Sequence, residues 1–362
     1  MKKIALIGCT GSIGLQTCDV VRRYPEEFCF SALVCGHDRG ELFRLKEEFS
    51  PKVALTAAEM NGNYARLFED CDIALVAASG FAGLRYTLAA IEAGKNVALA
   101  NKESLVCGGA LVTAAAEKRG VEIIPVDSEH SALFQALSFR RDTPFSRLVL
   151  TASGGPFLHY TQEELARVTA RDALKHPTWN MGAKITIDSA TMLNKGFEVI
   201  EAKWLYNADF NKISAVVHPE SIVHSLVYFC DGAAIAQMGY PDMRVPIQLA
   251  LTYPERLPCE RELELEKIGA LHFYPLPEEK FPCYTLALQA GKAGGTCPAV
   301  LNAAGEIAVE AFLKGSITFL QIAETVKDAL NSYAREEVES YEQLSELDGR
   351  VRQEVRLKIY GN

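Results

Sequence analysis

The chain has no C-x-x-C pair, no apolar run long enough to span a membrane, no internal repeat, no low-complexity tract and no surplus of positive charge. Each absence removes a class of function. Cys9, Cys18, Cys29, Cys35, Cys71, Cys107, Cys230, Cys259, Cys283 and Cys297 are scattered. Without paired spacing they give no zinc or redox motif, and they read as small core residues in a reducing compartment. Lys plus Arg number 37 against 46 Asp plus Glu, a net charge of −9. A broad anionic surface repels nucleic acid, whereas a small anion can still bind where cations and backbone amides are focused. The start, MKKIALIGCTGSIG, carries two lysines before an apolar stretch, but glycines interrupt it, so it reads as a strand and turn rather than a signal peptide. With no span expected, the expected location is the cytoplasm.

What is present is an ordinary globular composition, 49% apolar and 23% charged over 362 residues, enough for two or three domains. In the first third, short apolar runs (Lys3–Ile7, Phe28–Val34, Ile73–Ala78, Val97–Leu99, Val121–Val126) alternate with helical patterns (Ser12–Arg23, Glu41–Phe49, Leu84–Ala93, Glu103–Arg119). Such alternation predicts an α/β fold with a parallel sheet covered on both faces. The pattern then changes to α+β. A strand at Arg147–Ala152 leads into a loop-rich stretch to Lys184, a helix is expected over Asp188–Tyr206, and strands follow at Ile213–His218, Ile222–Phe229 and Ala233–Met238. Gly232 suits a hairpin between the last two. The proline-rich, charged stretch Pro254–Pro282 reads as a connector, and helical patterns at Leu286–Gly291, Val300–Leu313, Phe319–Tyr333 and Tyr341–Ile359 predict a C-terminal bundle. The expected division is 1–126, 127–252, a connector at 253–284, and 285–362.

Gly8-Cys9-Thr10-Gly11-Ser12-Ile13-Gly14 joins the first strand to the first helix. Glycines there allow a tight turn and close approach of backbone to a pyrophosphate, which the helix amino end attracts through its N–H groups and dipole. In that place the motif favours a dinucleotide over a plain turn. At the end of the second strand, Gly36, His37, Asp38 and Arg39 send mixed signals: His37 and Arg39 suit a 2′-phosphate, Asp38 a free ribose hydroxyl.

Ile123-Ile124-Pro125-Val126-Asp127-Ser128-Glu129-His130 places two carboxylates after an apolar strand. In continued extended geometry Asp127 and Glu129 would point the same way, half a site for Mg²⁺ or Mn²⁺; alternatively Asp127 or Ser128 caps a helix. Farther on, Asn194, Lys195 and Glu198 share a face if Asp188–Glu198 is helical, and Gly196 between them costs about 1 kcal/mol in a helix. Ser189, Asn194 and Lys195 together suit a phosphate, while a surface Lys–Glu pair is the plainer reading. Ser153-Gly154-Gly155 is either a phosphate cradle or a simple turn. His176–Gly182 contains Trp179, one of only two tryptophans, and reads as a lid or a packed loop. Asn101-Lys102-Glu103 either brings Lys102 to a ligand or caps a helix, and His218 and His224 read as structural.

Taken in order, Gly8–Gly14, Leu99–Val106, Pro125–Gln135, Thr151–Phe157, His176–Gly182, Asp188–Glu198, His218–Ser221 and Ala299–Phe312 resemble the 1-deoxy-D-xylulose 5-phosphate reductoisomerases along nearly the whole chain. The resemblance implies a Rossmann-like NADPH domain, a central catalytic domain that also makes dimer contacts, and a helical C-terminal domain. It implies Asp127, Glu129 and Glu198 on Mg²⁺ or Mn²⁺. Lys102, Ser128, Glu129, Ser153, His176, Ser189, Asn194, Lys195 and Glu198 would bind the sugar phosphate, with Lys102, Glu129, His176 and Glu198 catalytic. NADPH would meet Thr10, Gly11, Ser12, Ile13, Gly36, His37, Asp38, Asn101, Glu103 and Gly182. Two stretches depart from the family pattern: Gly36-His37-Asp38 replaces a more basic pair, and 57–73 is short. The rival readings are a metal-independent NADP dehydrogenase and a non-catalytic dinucleotide sensor.

Overall fold

The computed structural model of the chain describes residues 1–175, 179, 181–259 and 261–361. Contacts divide it into two compact units, Met1–Ser104 with Val112–Phe134 and Asp242–Glu262, and Leu105–Leu111 with Gln135–Pro241 and Leu263–Asn362.

The first unit is built on six strands: β1 (Lys2–Ile7), β2 (Phe28–Cys35), β3 (Val53–Thr56), β4 (Ile73–Val76), β5 (Asn96–Leu99) and β6 (Ile123–Pro125). They form one parallel sheet in the order β3-β2-β1-β4-β5-β6. Ile4, Ala5, Leu6, Ala74, Leu75, Val76, Val97 and Ala98 are fully buried, as continuous apolar strands covered on both faces require. Helices α1 (Ser12–Arg23), α2 (Arg39–Phe49), α3 (Ala82–Glu92), α4 (Lys102–Arg119) and α5 (Ser128–Ala136) alternate with the strands. The strand order turns back between β1 and β4, the switch point beside which such sheets bind ligands. The parallel sheet expected from the sequence is therefore present. β3 joins it at one edge, although the sequence reading placed no strand there. The short stretch 57–73 is filled by two single 3₁₀ turns, Ala57–Met60 and Ala65–Leu67.

In the second unit β7 (Arg147–Ala152), β8 (Ile213–Val217), β9 (Val223–Tyr228), β10 (Ala234–Met238) and β11 (Tyr274–Pro275) form a mixed sheet, β10-β9-β7-β8-β11. β7 and β8 are parallel and the other pairs antiparallel. The β9–β10 hairpin turns through Gly232, whose φ is +88°. The expected loop at 153–184 holds two one-turn helices, α6 (Gln162–Leu165) and α7 (Ala170–Ala173), each opened by a capping box, Thr161/Glu164 and Thr169/Asp172.

The single helix expected over Asp188–Tyr206 is two, α8 (Ala183–Ala190) and α9 (Leu193–Tyr206). Between them Met192 takes φ +62°, a left-handed conformation that no propensity rule assigns to methionine. α9 packs on β7 and β8.

The expected connector is also partly regular. Residues 242–262 belong to the first unit, where α10 (Arg244–Thr252) packs on α1, β5 and β6, and Lys2 Nζ donates to the Leu251 carbonyl at 2.6 Å. Beyond it, α11 (Leu265–Ile268) and β11 belong to the second unit. The C-terminal helices α12 (Pro282–Ala293), α13 (Cys297–Leu313), α14 (Phe319–Ser332) and α15 (Tyr341–Tyr360) pack together as expected, with α12 also lying against α9.

Candidate active site and metal centre

The glycine turn is built by close approach. Gly8 has φ +89°, and a Cβ there would lie 2.5 Å from the Ala77 carbonyl oxygen. A Cβ on Gly14 would lie 2.2 Å from the Gly8 carbonyl oxygen. The Gly8 and Cys9 amides both donate to the Val34 carbonyl, at 2.7 and 2.9 Å, which ties the turn to the end of β2. Gly11 and Ser12 are exposed, Thr10 and Ile13 half-buried, and no side chain caps the amino end of α1. The arrangement leaves that helix end open to an anion.

Gly36, His37 and Asp38 are exposed after β2. Asp38 Oδ1 accepts from the Glu41 amide at 2.9 Å and so caps α2, while Arg39 pairs with Glu59 at 3.1 Å. Asn101 is buried and serves the fold: its side-chain oxygen accepts from the Ser104 amide at 2.9 Å, capping α4. Its Nδ2 donates to the Ala78 and Gly80 carbonyls and to Glu103 Oε2. Gly182 opens α8 and is exposed.

Strand β6 stops at Pro125 and α5 begins at Ser128, so Glu129 lies in a helical turn and extended alternation does not continue to it. Asp127 does cap the helix: its Oδ1 accepts from the Glu129 amide at 3.2 Å and lies 3.1 Å from His130 Nδ1. Oδ2 accepts from Lys102 Nζ, and the two side chains are only 15% and 10% exposed. Burial pushes the Asp127 carboxyl up, but Lys102 and then His130 outweigh it and hold the group well below the ordinary carboxylate range. Ser128 Oγ donates to Glu129 Oε2. The sequence reading did not single out His130; its signal was the i, i+3 spacing to Asp127 in a helix start.

On α9, Asn194 Nδ2 donates to Glu198 Oε1 at 2.6 Å and Lys195 Nζ to Oε2. The Lys195 and Glu198 side chains are 4% and 1% exposed, so this is no surface ion pair. The Gly196 position is explained by packing: a Cβ there would lie 2.3 Å from the Ala287 Cβ of α12. The helix cost of glycine is met by this close approach of α12. Ser189, at the end of α8, lies beside the turn after β7, since a Cβ on Gly155 would sit 3.1 Å from the Ser189 carbonyl oxygen. Ser153 Oγ accepts from the Gly155 amide at 3.3 Å within that turn. His176 lies outside the described residues, as do Pro177, Thr178 and Asn180. The Trp179 ring lies 6.3 Å from the ring of His224.

Among the described residues one acidic group has the spacing a metal ion needs: Asp127, Glu129 and Glu198 each offer a carboxylate oxygen, and these oxygens lie within 4.8 Å of one another. Three hard oxygen donors without thiolate or imidazole fit Mg²⁺ or Mn²⁺.

Comparison with known proteins points the same way. Family models described as 1-deoxy-D-xylulose 5-phosphate reductoisomerase match residues 4–68 and 61–109, its C-terminal domain matches 123–206, and the DXP reductoisomerase C-terminal domain matches 238–354. The first match breaks within the stretch read as short. The 1-deoxy-D-xylulose 5-phosphate reductoisomerase of Geobacillus sp. (strain WCH70) is 48% identical over 378 residues, covering 98% of this chain and 99% of the relative. That of Chlorobium phaeobacteroides (strain DSM 266 / SMG 266 / 2430) is 49% identical over 370 residues, 96% of each. The solved reductoisomerase from Zymomonas mobilis in complex with NADPH superposes with a TM-score of 0.91 at 37% identity, covering 100% of both chains. A DOX-P reductoisomerase in complex with NADPH, fosmidomycin and magnesium gives 0.93 at 38% identity, over 99% of this chain and 98% of that one. The glycine turn, the acidic group and full-length similarity agree, and the chain belongs to the 1-deoxy-D-xylulose 5-phosphate reductoisomerase family.

Proposed function

We propose that this chain converts 1-deoxy-D-xylulose 5-phosphate to 2-C-methyl-D-erythritol 4-phosphate, a non-mevalonate isoprenoid precursor, using NADPH and a divalent cation. The acidic group Asp127, Glu129 and Glu198 carries the reading, because an ordinary NADP dehydrogenase has no use for it. Relatives covering the whole chain bear the reductoisomerase name, and a solved one holds NADPH and magnesium. Asp127, Glu129 and Glu198 would hold the cation, which supplies Lewis-acid polarisation of the substrate's carbonyl and hydroxyl oxygens.

The reaction moves the carbon skeleton to an aldehyde, 2-C-methylerythrose 4-phosphate, and then reduces that aldehyde with hydride from NADPH. Ser153, Ser189, Asn194 and Lys195 bind the phosphate, so binding energy is spent away from the bonds that change. Lys102 and Ser128 orient the reacting end. Lys102, Glu129, His176 and Glu198 are assigned the catalytic contacts. Thr10, Gly11, Ser12 and Ile13 take the pyrophosphate at the open end of α1. Gly36, His37 and Asp38 line the adenosine side, where Asp38 acts through backbone placement because its side chain caps α2. Asn101 and Glu103 shape the nicotinamide side, and Gly182 contacts the same cofactor.

We also read the protein as cytoplasmic, homodimeric and able to use manganese. None of its ten cysteines is in a disulfide, which suits a reducing compartment. Exposed Ile235 and Tyr274, on the two edge strands of the second sheet, suit self-association. No helix among the described residues is long and apolar enough to cross a membrane. The deciding assay incubates the protein with 1-deoxy-D-xylulose 5-phosphate, NADPH and Mg²⁺ and follows nicotinamide absorbance. Consumption that stops with chelator and returns with Mg²⁺ is expected. Full activity in chelator would reject the reading in favour of a metal-independent dehydrogenase.

A further inference from the structure

We propose that Lys102 and Lys195 are internal counter-ions of the metal centre, each occupying a carboxylate that the cation needs, so that cation binding displaces both ammonium groups and releases them to the anionic substrate. This rests on the metal reading of Asp127 and Glu198 given above.

The argument begins with the carboxylate oxygens. Asp127 Oδ1 is committed to the amino end of α5 through the Glu129 amide and His130. The other oxygen, Oδ2, receives Lys102 Nζ. Glu198 Oε1 receives Asn194 Nδ2, and Oε2 receives Lys195 Nζ. Two of the three metal-facing carboxylates, Asp127 and Glu198, therefore hold a lysine, and both ammonium groups are themselves largely buried. A bare carboxylate in such surroundings is expensive. Without a metal ion the lysine is what makes its charge tolerable.

A divalent cation competes for the same lone pairs and repels an ammonium held a few ångströms away. Both cannot keep the same oxygen at full strength. A lysine resolves the conflict readily, because its compact charge rides on a flexible four-carbon stem. Two consequences follow by linkage. The lysines weaken the cation's apparent affinity, and the cation makes two cations available for an anion. The centre thereby favours metal before sugar phosphate, and a metal-free pocket holds its anion-binding lysines in reserve.

The test uses Mn²⁺ alone, with no substrate and no turnover. Binding to wild type, Lys102→Met and Lys195→Met is measured by calorimetry and by the electron paramagnetic resonance of the free ion. Removing an internal competitor should tighten Mn²⁺ binding about ten- to a hundredfold in each variant. NADPH affinity and circular dichroism check that the variants are folded. Should either fail to fold, the wild type decides alone: ¹⁵N-lysine NMR should show two Nζ signals shifting from paired to solvated when Mg²⁺ is added. Unchanged or weaker Mn²⁺ binding in folded variants, or lysine signals indifferent to Mg²⁺, would overturn the exchange while leaving the metal site standing. If neither wild type nor variants bound Mn²⁺, the metal assignment itself would fall, and the exchange with it.

Discussion

Replacing Gly196 by alanine tests how α9 is held, and with it the position of Glu198 two residues on. Two effects oppose. Alanine in place of glycine within a helix is worth about 1 kcal/mol. Against that, the new methyl would sit 2.3 Å from the Ala287 Cβ, where ordinary contact is 3.4–4 Å. α9 and α12 must part by roughly 1 Å, and overpacking of this kind costs about 1–3 kcal/mol. The middle of that range less the helix gain leaves Gly196→Ala destabilised by about 1 kcal/mol. Ala287→Gly alone loses about 1 kcal/mol of helix propensity and about 0.8 kcal/mol of buried methyl. The double variant only moves the methyl from one helix to the other, into a place where its next neighbour, the Tyr284 carbonyl oxygen, is 3.5 Å away. It should recover to within about 1 kcal/mol of wild type, a strong coupling between the two sites. Urea unfolding by circular dichroism measures all three, and kcat/KM should fall and recover in parallel because Glu198 rides on the same helix. A Gly196→Ala variant as stable as wild type or more so would refute the packing argument.

Glu198→Gln should nearly abolish turnover while NADPH affinity, measured by fluorescence titration, stays close to wild type; equal loss of both would indicate misfolding instead. Gly14→Ala should weaken NADPH binding at least about tenfold, since its Cβ would lie 2.2 Å from the Gly8 carbonyl oxygen and distort the turn proposed to take the pyrophosphate. Asn101→Ala removes a helix cap and leaves the half-buried Ala78 and buried Gly80 carbonyls without this donor, so unfolding should show a loss of about 2 kcal/mol or more. The Asp127 carboxyl is lowered in the folded protein, so its stabilisation is complete above about pH 4 and disappears as pH falls further. Unfolding in chelator across that range should show an acid loss that shrinks in Lys102→Met.

Much of this protein was legible in one dimension. The strand–helix alternation and the Gly8–Gly14 turn dictated a parallel sheet with an open helix end, because continuous apolar strands can only be buried on both faces. The blocks around Asp127 and Lys195 marked the acidic and cationic side chains. Tertiary structure alone decided the rest. Whether Asp127 caps a helix or faces a cation is open from spacing alone; in the fold one of its oxygens accepts from the Glu129 amide at the start of α5 and the other from Lys102. The break at Met192 defies helix propensity, so a single helix was expected where two form. The helix cost of Gly196 has no explanation in local sequence; the glycine makes room for Ala287, ninety-one residues away in sequence and adjacent only because α9 and α12 pack. The return of residues 242–262 to the first unit had no local signal. Local pattern fixes which residues can form an element and which chemistry they offer; contacts between distant segments fix which of those offers is taken up.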